Sequence, residues 1–243
     1  MQKEWFSSWF DTSYYHILYK HRDYSEASLF IDNITRFLKI KNGAVCWDLC
    51  CGKGRHSMYL HKKGYCVTGT DLSEQSILEA NKCADDTLEF YQHDMRKLFR
   101  TNYFDVVFNL FTSFGYFENR QDDLNVFSSV AKSLKPNGIF VFDFLNADYV
   151  KNSITENDTK TIDGITFDIS KKIEENTVIK SIDFTDEGND FHFEERVKLF
   201  NKTYFEGLAR DCNLEIINTF GNYMLDTFDA HTSPRLILIF KKL

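Results

Sequence analysis

Between Val45 and Phe144 short apolar runs alternate with helical periodicities, and this alternation restricts the fold more than any other feature of the chain. Strands are predicted at Val45–Leu49, Cys66–Asp71, Leu88–Gln92, Phe104–Leu110 and Ile139–Phe144. Helices are predicted at Arg55–Lys63, Glu74–Cys83 and Gln121–Leu134, and a turn, Lys135-Pro136-Asn137-Gly138, precedes the fifth strand. Strands joined by helix-length crossovers pair in parallel, which makes this region an α/β sheet built from right-handed units. Ligands of such sheets sit beyond the carboxyl ends of the strands, at the point where strand order reverses; here that is where strands one and four end.

On the amino-terminal side, Phe30, Ile34, Phe37 and Leu38 give Ser25–Lys39 the pattern of an amphipathic helix, with Ser25 as its N-cap. Beyond Tyr149 the texture changes. Ile165–Ile173, Val178–Phe184 and Phe191–Leu199 are β-rich and joined by Glu174-Glu175-Asn176 and Asp186-Glu187-Gly188-Asn189, the pattern of a small antiparallel meander. A helix at Lys202–Cys212 and strands at Leu214–Phe220 and Arg235–Phe240 complete a main sheet of seven mostly parallel strands with helices on both faces.

Composition narrows the partners. A formal charge of −7 argues against a surface that tracks phosphates, and Lys62-Lys63 and Arg96-Lys97 are too short to reverse that. No nucleic acid is expected as a partner. The six cysteines, Cys46, Cys50, Cys51, Cys66, Cys83 and Cys212, form no pattern of zinc spacing, so reduced thiols and no metal are expected. No run reaches the roughly 18 apolar residues of a membrane helix, and the start has no signal-peptide pattern, so the expectation is a cytoplasmic protein without membrane contact. Aromatic residues make up 16% of the chain, with 24 Phe, which fits either aromatic-lined cavities or a Phe-rich core.

Asp48-Leu49-Cys50-Cys51-Gly52-Lys53-Gly54-Arg55-His56 lies between the first strand and its helix, where Gly52 and Gly54 let backbone turn and approach a ligand. A dinucleotide fingerprint would need a third glycine, where Ser57 stands. Asp71 ends the second strand, where a carboxylate can accept from both hydroxyls of a ribose. Asp94 ends the third, where one can accept from an adenine amino group, with Met95 or Leu72 against the ring.

DLCCGKGRHS, GTDLS, QHDMRKL and FDVVFNLFTSFGYF, in that order, resemble motifs I to IV of class I S-adenosylmethionine-dependent methyltransferases over about residues 40 to 145. The resemblance implies a Rossmann-like fold and S-adenosylmethionine as cofactor, with S-adenosylhomocysteine as product. Asp48 and the Cys50, Cys51, Gly52 and Gly54 backbone would border the methionine part, with Arg55 beside them. Asp71 would border the ribose, Asp94 and Met95 the adenine, and Asn109 and Leu110 the sulfonium. Cys50, where the family most often has glycine or alanine, fits the turn if its φ stays negative.

A weaker resemblance over nearly the full length is to small-molecule methyltransferases, including sugar-amine N-methyltransferases, whose β insertion roofs the active site. It implies a core of residues 1–149 and 200–243 with an N-terminal lid, and an insertion at 150–199 over the acceptor pocket. That pocket would be built from the aromatic N-terminus, the Phe111–Phe117 loop, and the insertion with the Tyr223–Pro234 loop. Tyr14 could cover the donor, Arg22 could pair with its carboxylate, and His16, Tyr116, Tyr223 or His231 could take a proton from the acceptor. Asn109-Leu110-Phe111-Thr112 has the Asn but neither proline of the nucleobase and protein-glutamine N-methyltransferases. The expected acceptor is a small molecule methylated at N or O, and the expected assembly a monomer or homodimer. Two other readings stand beside this: a nicotinamide-dependent oxidoreductase, which shares the glycine turn and Asp71, and a non-catalytic S-adenosylmethionine-binding protein.

Overall fold

The computed structural model describes residues 4–20 and 24–243. Two short helices, α1 (Trp5–Trp9) and α2 (Ser13–Leu18), form an N-terminal strap, followed by α3 (Tyr24–Phe37). The alternating region then runs β1 (Val45–Leu49), α4 (Arg55–Lys62), β2 (Cys66–Asp71), α5 (Glu74–Ala80), β3 (Leu88–Gln92), β4 (Phe104–Asn109), α6 (Arg120–Ser133) and β5 (Leu134–Leu145). After α7 (Ala147–Ser153) come β6 (Asn157–Ile162), β7 (Ile165–Glu174), β8 (Thr177–Asp186) and β9 (Asn189–Lys198). The chain closes with α8 (Lys202–Asp211), β10 (Leu214–Phe220) and β11 (Arg235–Lys242).

Seven strands form one sheet in the order β10-β11-β5-β4-β1-β2-β3, parallel from β5 to β3 and antiparallel where β11 meets β5 and β10. Alternation along the central strands explains the two-sided core. Trp47, Phe140, Phe142, Leu238 and Phe240 pack on α6 and α8 through Phe127, Val130, Phe205 and Leu208. Cys46, Val141, Ile237 and Ile239 turn to the other face, against Phe30 and Ile34 of α3 and Leu60 of α4. Much of the phenylalanine surplus is therefore core on one face, each fully buried ring contributing about 1.5–3 kcal/mol. Side-chain caps start the helices around the site: Ser73 accepts from Ser76 N on α5 at 3.0 Å, and Asn119 from Asp122 N on α6 at 2.8 Å.

The second sheet, β6-β7-β8-β9, is antiparallel throughout. Its inner residues, Phe167, Ile169, Ile182 and Phe184, are buried against Trp9 and Leu18, so the strap is packed on this sheet. Three local expectations change. Ser25 lies inside α3 rather than capping it. The Lys135–Gly138 turn is absorbed into β5 as an irregularity, with the β4–β5 register jumping from Leu134 to Ile139 and Asn137 at φ 63°. A fourth strand, β6, joins the meander; its five exposed residues carry no alternating apolar signal. No helix among the described residues is long and apolar enough to cross a membrane.

Candidate functional site

A cavity of about 510 Å³ opens where the sequence places it, beyond the carboxyl ends of β1, β2, β3 and β4. Its floor is the loop after β1, whose shape is fixed by hydrogen bonds from its backbone N–H groups. Cys51 N donates to Thr70 O at 2.9 Å and Gly52 N to the Asp71 carboxylate at 2.8 Å. Gly54, at φ 81°, starts α4 so close to Phe90 that an added Cβ would stand 2.7 Å from the ring. At Gly52 an added Cβ would meet nothing within 4 Å, so the backbone there is open to a ligand. Asp48 is buried beneath, accepting from Ser57 Oγ at 2.6 Å, and burial pushes its carboxyl up to about 6.

Asp71 accepts from Gly52 N and from Ser73 N at 2.9 Å; burial raises its carboxyl, against those hydrogen bonds. A carboxylate has about four acceptor positions, so lone pairs remain for a ligand's hydroxyls. Asp94 stands in the cavity wall with both oxygens already accepting from Arg96, Nη2 at 2.8 Å. Burial raises this carboxyl but the Arg96 bonds outweigh it and hold it below the ordinary range. Arg96 also reaches Glu4 at the head of the strap, Nη1 to Oε1 at 2.8 Å. Leu72, Met95 and Leu110 line the same wall, as do Cys50, Cys51, Gly52 and Arg55.

Other expected residues stand elsewhere. Asn109 does not line the cavity: it is 1% exposed and its Nδ2 donates to Leu49 O at 3.1 Å, tying β4 to β1. Cys50 has φ 65°, not a negative value, and its Sγ lies 3.5 Å from Met95 Sδ. Tyr14 turns to the second sheet, donating to Asp186 at 2.9 Å and packing on Phe184 and Phe191. Arg22 lies outside the described residues.

Of the four proton-accepting candidates, His16 and Tyr116 line the cavity; Tyr223 and His231 do not. Burial, reinforced by Lys53, lowers His16 to about 4, which keeps the imidazole neutral at pH 7 and makes it a weak base. Tyr116 donates to Thr112 O at 2.6 Å and packs among Trp5, Phe6 and Phe10 of the strap. Tyr223 packs on Phe111 and donates to Asp143 at 3.1 Å, and burial followed by the Asp143 charge raises its phenol. His231 is exposed in the loop before β11.

The loop after β4 carries a network that no motif announces. Phe111 and Thr112 sit at φ 58° and 62°, a left-handed pair costly for large and β-branched side chains. Fully buried Asp143 of β5 accepts from Phe111 N at 2.7 Å and from Arg235 Nε at 2.8 Å, and Arg235 Nη2 donates to Thr112 Oγ1 at 2.8 Å. On the side of the second sheet, Glu195 of β9 lines the cavity. It accepts from Trp9 Nε1 at 2.8 Å and Tyr19 Oη at 2.7 Å, with Lys180 Nζ at 3.6 Å. These partners are remote in sequence, which is why no short pattern finds them.

Residues 47–138 match the model of the methyltransferase domain family. That stretch, 47–138, is thus similar to a methyltransferase domain. Over 101 residues it is 39% identical to YqeM of Bacillus subtilis (strain 168), itself named a methyltransferase only provisionally; the match spans 40% of each chain, well under two thirds of the relative's length. An S-adenosylmethionine-dependent methyltransferase from Clostridium acetobutylicum ATCC 824 superposes with a TM-score of 0.78 at 21% identity, over 94% of this chain and 96% of that one. CalS10, an amino pentose methyltransferase from Micromonospora echinaspora solved with bound S-adenosylmethionine, gives 0.72 at 16% identity, over 96% and 98%. At these identities the structures establish the fold alone.

S-adenosylmethionine is the methyl donor of this class, and the residues present fit it. Asp71 offers a carboxylate to hydroxyls, Leu72 and Met95 offer apolar edges to a flat ring, and the open backbone at Gly52 admits close approach.

Proposed function

We propose that the protein transfers the methyl group of S-adenosylmethionine to a nitrogen or oxygen of a small molecule held beneath the N-terminal strap. The observation that carries this is the continuity of the cavity. One end has the donor-type carboxylates Asp71 and Asp94; the other is walled by Trp5, Phe10, Tyr15 and Tyr116 and edged by Glu195 of the second sheet. Residues 157–198, which include that sheet, act on this reading as a roof over the acceptor.

The donor supplies an activated methyl group and a neutral thioether leaving group, so the chain's residues need mainly to align the acceptor and exclude water. The aromatic strap does the second. The loop at Phe111 and Thr112, held left-handed by Asp143 and Arg235, does the first. An acceptor that starts protonated must lose that proton before attack; His16 lines the cavity, but burial holds it at about 4, too weak a base to draw a proton from an ammonium group at pH 7. An amine-bearing acceptor of the amino sugar class is favoured by the likeness to CalS10 over nearly the whole chain. The acidic net charge of −7 disfavours a nucleic acid substrate.

Thermal unfolding with S-adenosylhomocysteine, S-adenosylmethionine and NADH in parallel tests the donor assignment. A ligand at a hundred times its dissociation constant adds about 2.7 kcal/mol of stability, so the first two should raise Tm clearly and NADH should not. Asp71→Ala should weaken S-adenosylhomocysteine by about 1.5–3 kcal/mol in calorimetry, as charge-assisted bonds to a ribose are lost. A shift with NADH alone would overturn the reading. With the donor site established, release of S-adenosylhomocysteine in the presence of amino sugars, simple amines and polyols identifies the acceptor class.

A further inference from the structure

Four carboxylates among the described residues line the cavity: Asp11, Asp71, Asp94 and Glu195. Asp71 and Asp94 stand at the donor end. Asp11 accepts from Ser73 Oγ at 2.6 Å and from Gln75 N at 3.3 Å, which holds the strap to the start of α5. Glu195 alone comes from the second sheet, and its side chain is 16% exposed.

The oxygens of Glu195 are only partly used. Oε1 accepts from Trp9 Nε1 at 2.8 Å, and the single proton of Tyr19 Oη is shared between Oε1 at 2.7 Å and Oε2 at 2.8 Å. A carboxylate has about four acceptor positions, so about two are left for a ligand. Lys180, opposite Glu195 in the β8–β9 pair, donates to Tyr19 Oη and lies over the Tyr19 ring at 4.6 Å. Its Nζ stays 3.6 Å from Oε2, beyond hydrogen-bond reach, and it does not line the cavity. The side of this ion pair that faces the cavity is therefore the carboxylate.

The rest of that end is aromatic, with Trp5, Phe10, Tyr15 and Tyr116 in the wall. Ring faces attract cations, and more strongly where water is excluded. An anion entering here would meet the Glu195 charge and give up hydration that the rings do not replace. Lys20, also at the cavity, is engaged by Asp163 at 2.8 Å.

We propose that Glu195 docks a positively charged nitrogen of the acceptor, so that the acceptor enters as an ammonium-bearing small molecule. This rests on the acceptor reading above and names the group that selects the acceptor. The ammonium takes the open positions of the carboxylate and competes with Lys180 for its charge. While it keeps its proton this nitrogen has no lone pair to attack with, so the contact orients the acceptor and takes no part in the transfer itself.

Calorimetry on the full chain, saturated with S-adenosylhomocysteine at neutral pH, tests this with two pairs of ligands that exchange an amino group for a hydroxyl: glucosamine with glucose, and benzylamine with benzyl alcohol. Wild type is expected to bind the amine of at least one pair about tenfold more tightly than its partner, equivalent to about 1.4 kcal/mol. Glu195→Gln keeps an amide oxygen that can accept from Trp9 and Tyr19. It should bring that pair to within about twofold while S-adenosylhomocysteine affinity and the ligand-free Tm stay unchanged. Lys180→Met removes the competing cation and should tighten the amine without changing its neutral partner. A tie between strap and sheet with no role in docking predicts the opposite sign, because losing Lys180 loosens Tyr19. The assignment is overturned if wild type prefers neither amine, if Glu195→Gln keeps the preference, or if Lys180→Met weakens the amine; in each case the donor reading stands as long as S-adenosylhomocysteine binds. If wild type does not bind S-adenosylhomocysteine, the functional reading itself falls.

Discussion

The glycine loop after β1 and the N-terminal strap face each other across one cavity but are held by different kinds of contact. The loop is fixed by local contacts of its own N–H groups: Cys51 N to Thr70 O, and Gly52 N and Ser73 N to the Asp71 carboxylate, all within 23 residues of chain. The strap is held by side chains to distant partners, Trp9 and Tyr19 to Glu195, Lys20 to Asp163 and Glu4 to Arg96. The local set closes through one backbone carbonyl and one buried carboxylate at a strand end; the strap's ties to distant partners can be loosened one at a time. On the proposed function, a donor site that must keep its shape and a cover that must release product call for this division.

The largest expected effect tests the part of the acceptor side that is built like the donor side. Asp143 is fully buried and Arg235, one-fifth exposed, is its charge partner. Arg235→Met leaves that carboxylate unpaired beside two residues of positive φ and should cost about 3–5 kcal/mol in urea unfolding. Asp143→Asn in the same background should recover part of it by removing the orphaned charge. A loss below about 1 kcal/mol would mean that the loop after β4 is held by its packing, and the likeness to the donor floor would fail.

A smaller effect concerns the donor floor alone. Burial raises the Asp48 carboxyl from 3.8 to about 6 in the folded chain. A raised folded value means the folded state holds its proton more tightly. The favourable contribution is then complete below about pH 4 and is lost as pH rises through about 6, on the order of 2–3 kcal/mol. Asp71, also raised by burial, adds to the same slope. Wild type should therefore lose stability relative to Asp48→Asn between pH 4.5 and 7, measured by urea midpoints at each pH. Equal slopes for the two would show that Ser57 and nearby charges offset the burial completely.

The same division explains what the sequence made legible. The donor floor is read from contiguous motifs because its contacts are local: strand ends, glycines and carboxylates recur in register, and β1 to β4 stand within one residue of their expected bounds. The strap and the network at Asp143 are assembled by residues up to 186 positions apart, and no window of sequence contains both partners. α1, at five residues, is too short for a periodicity to register, and β6 is polar along an exposed edge. Cys50 illustrates a local failure. Its left-handed φ is set by the loop closing on Thr70 and Asp71, which residue preference alone reads as a position for glycine.

The smallest effect separates two of the strap's ties. Lys20 and Asp163 are 54% and 47% exposed, and an ion pair so placed gives up in side-chain ordering and screening most of what it gains in attraction. Lys20→Ala should change the urea midpoint by less than about 0.5 kcal/mol and leave S-adenosylhomocysteine affinity within twofold. Glu195, by contrast, is 16% exposed and gathers Trp9, Tyr19 and Lys180. Glu195→Ala should speed protease cleavage within residues 4–20 while the unfolding of the seven-stranded sheet is little changed. If Lys20→Ala released the strap as readily as Glu195→Ala, the cover would be held at its exposed rim rather than at the cavity wall. Acceptor binding would then have no direct lever on closure. If only Glu195→Ala released it, the group that edges the acceptor chamber is also the one that fastens the cover, and an acceptor competing for that carboxylate would loosen the strap as it bound.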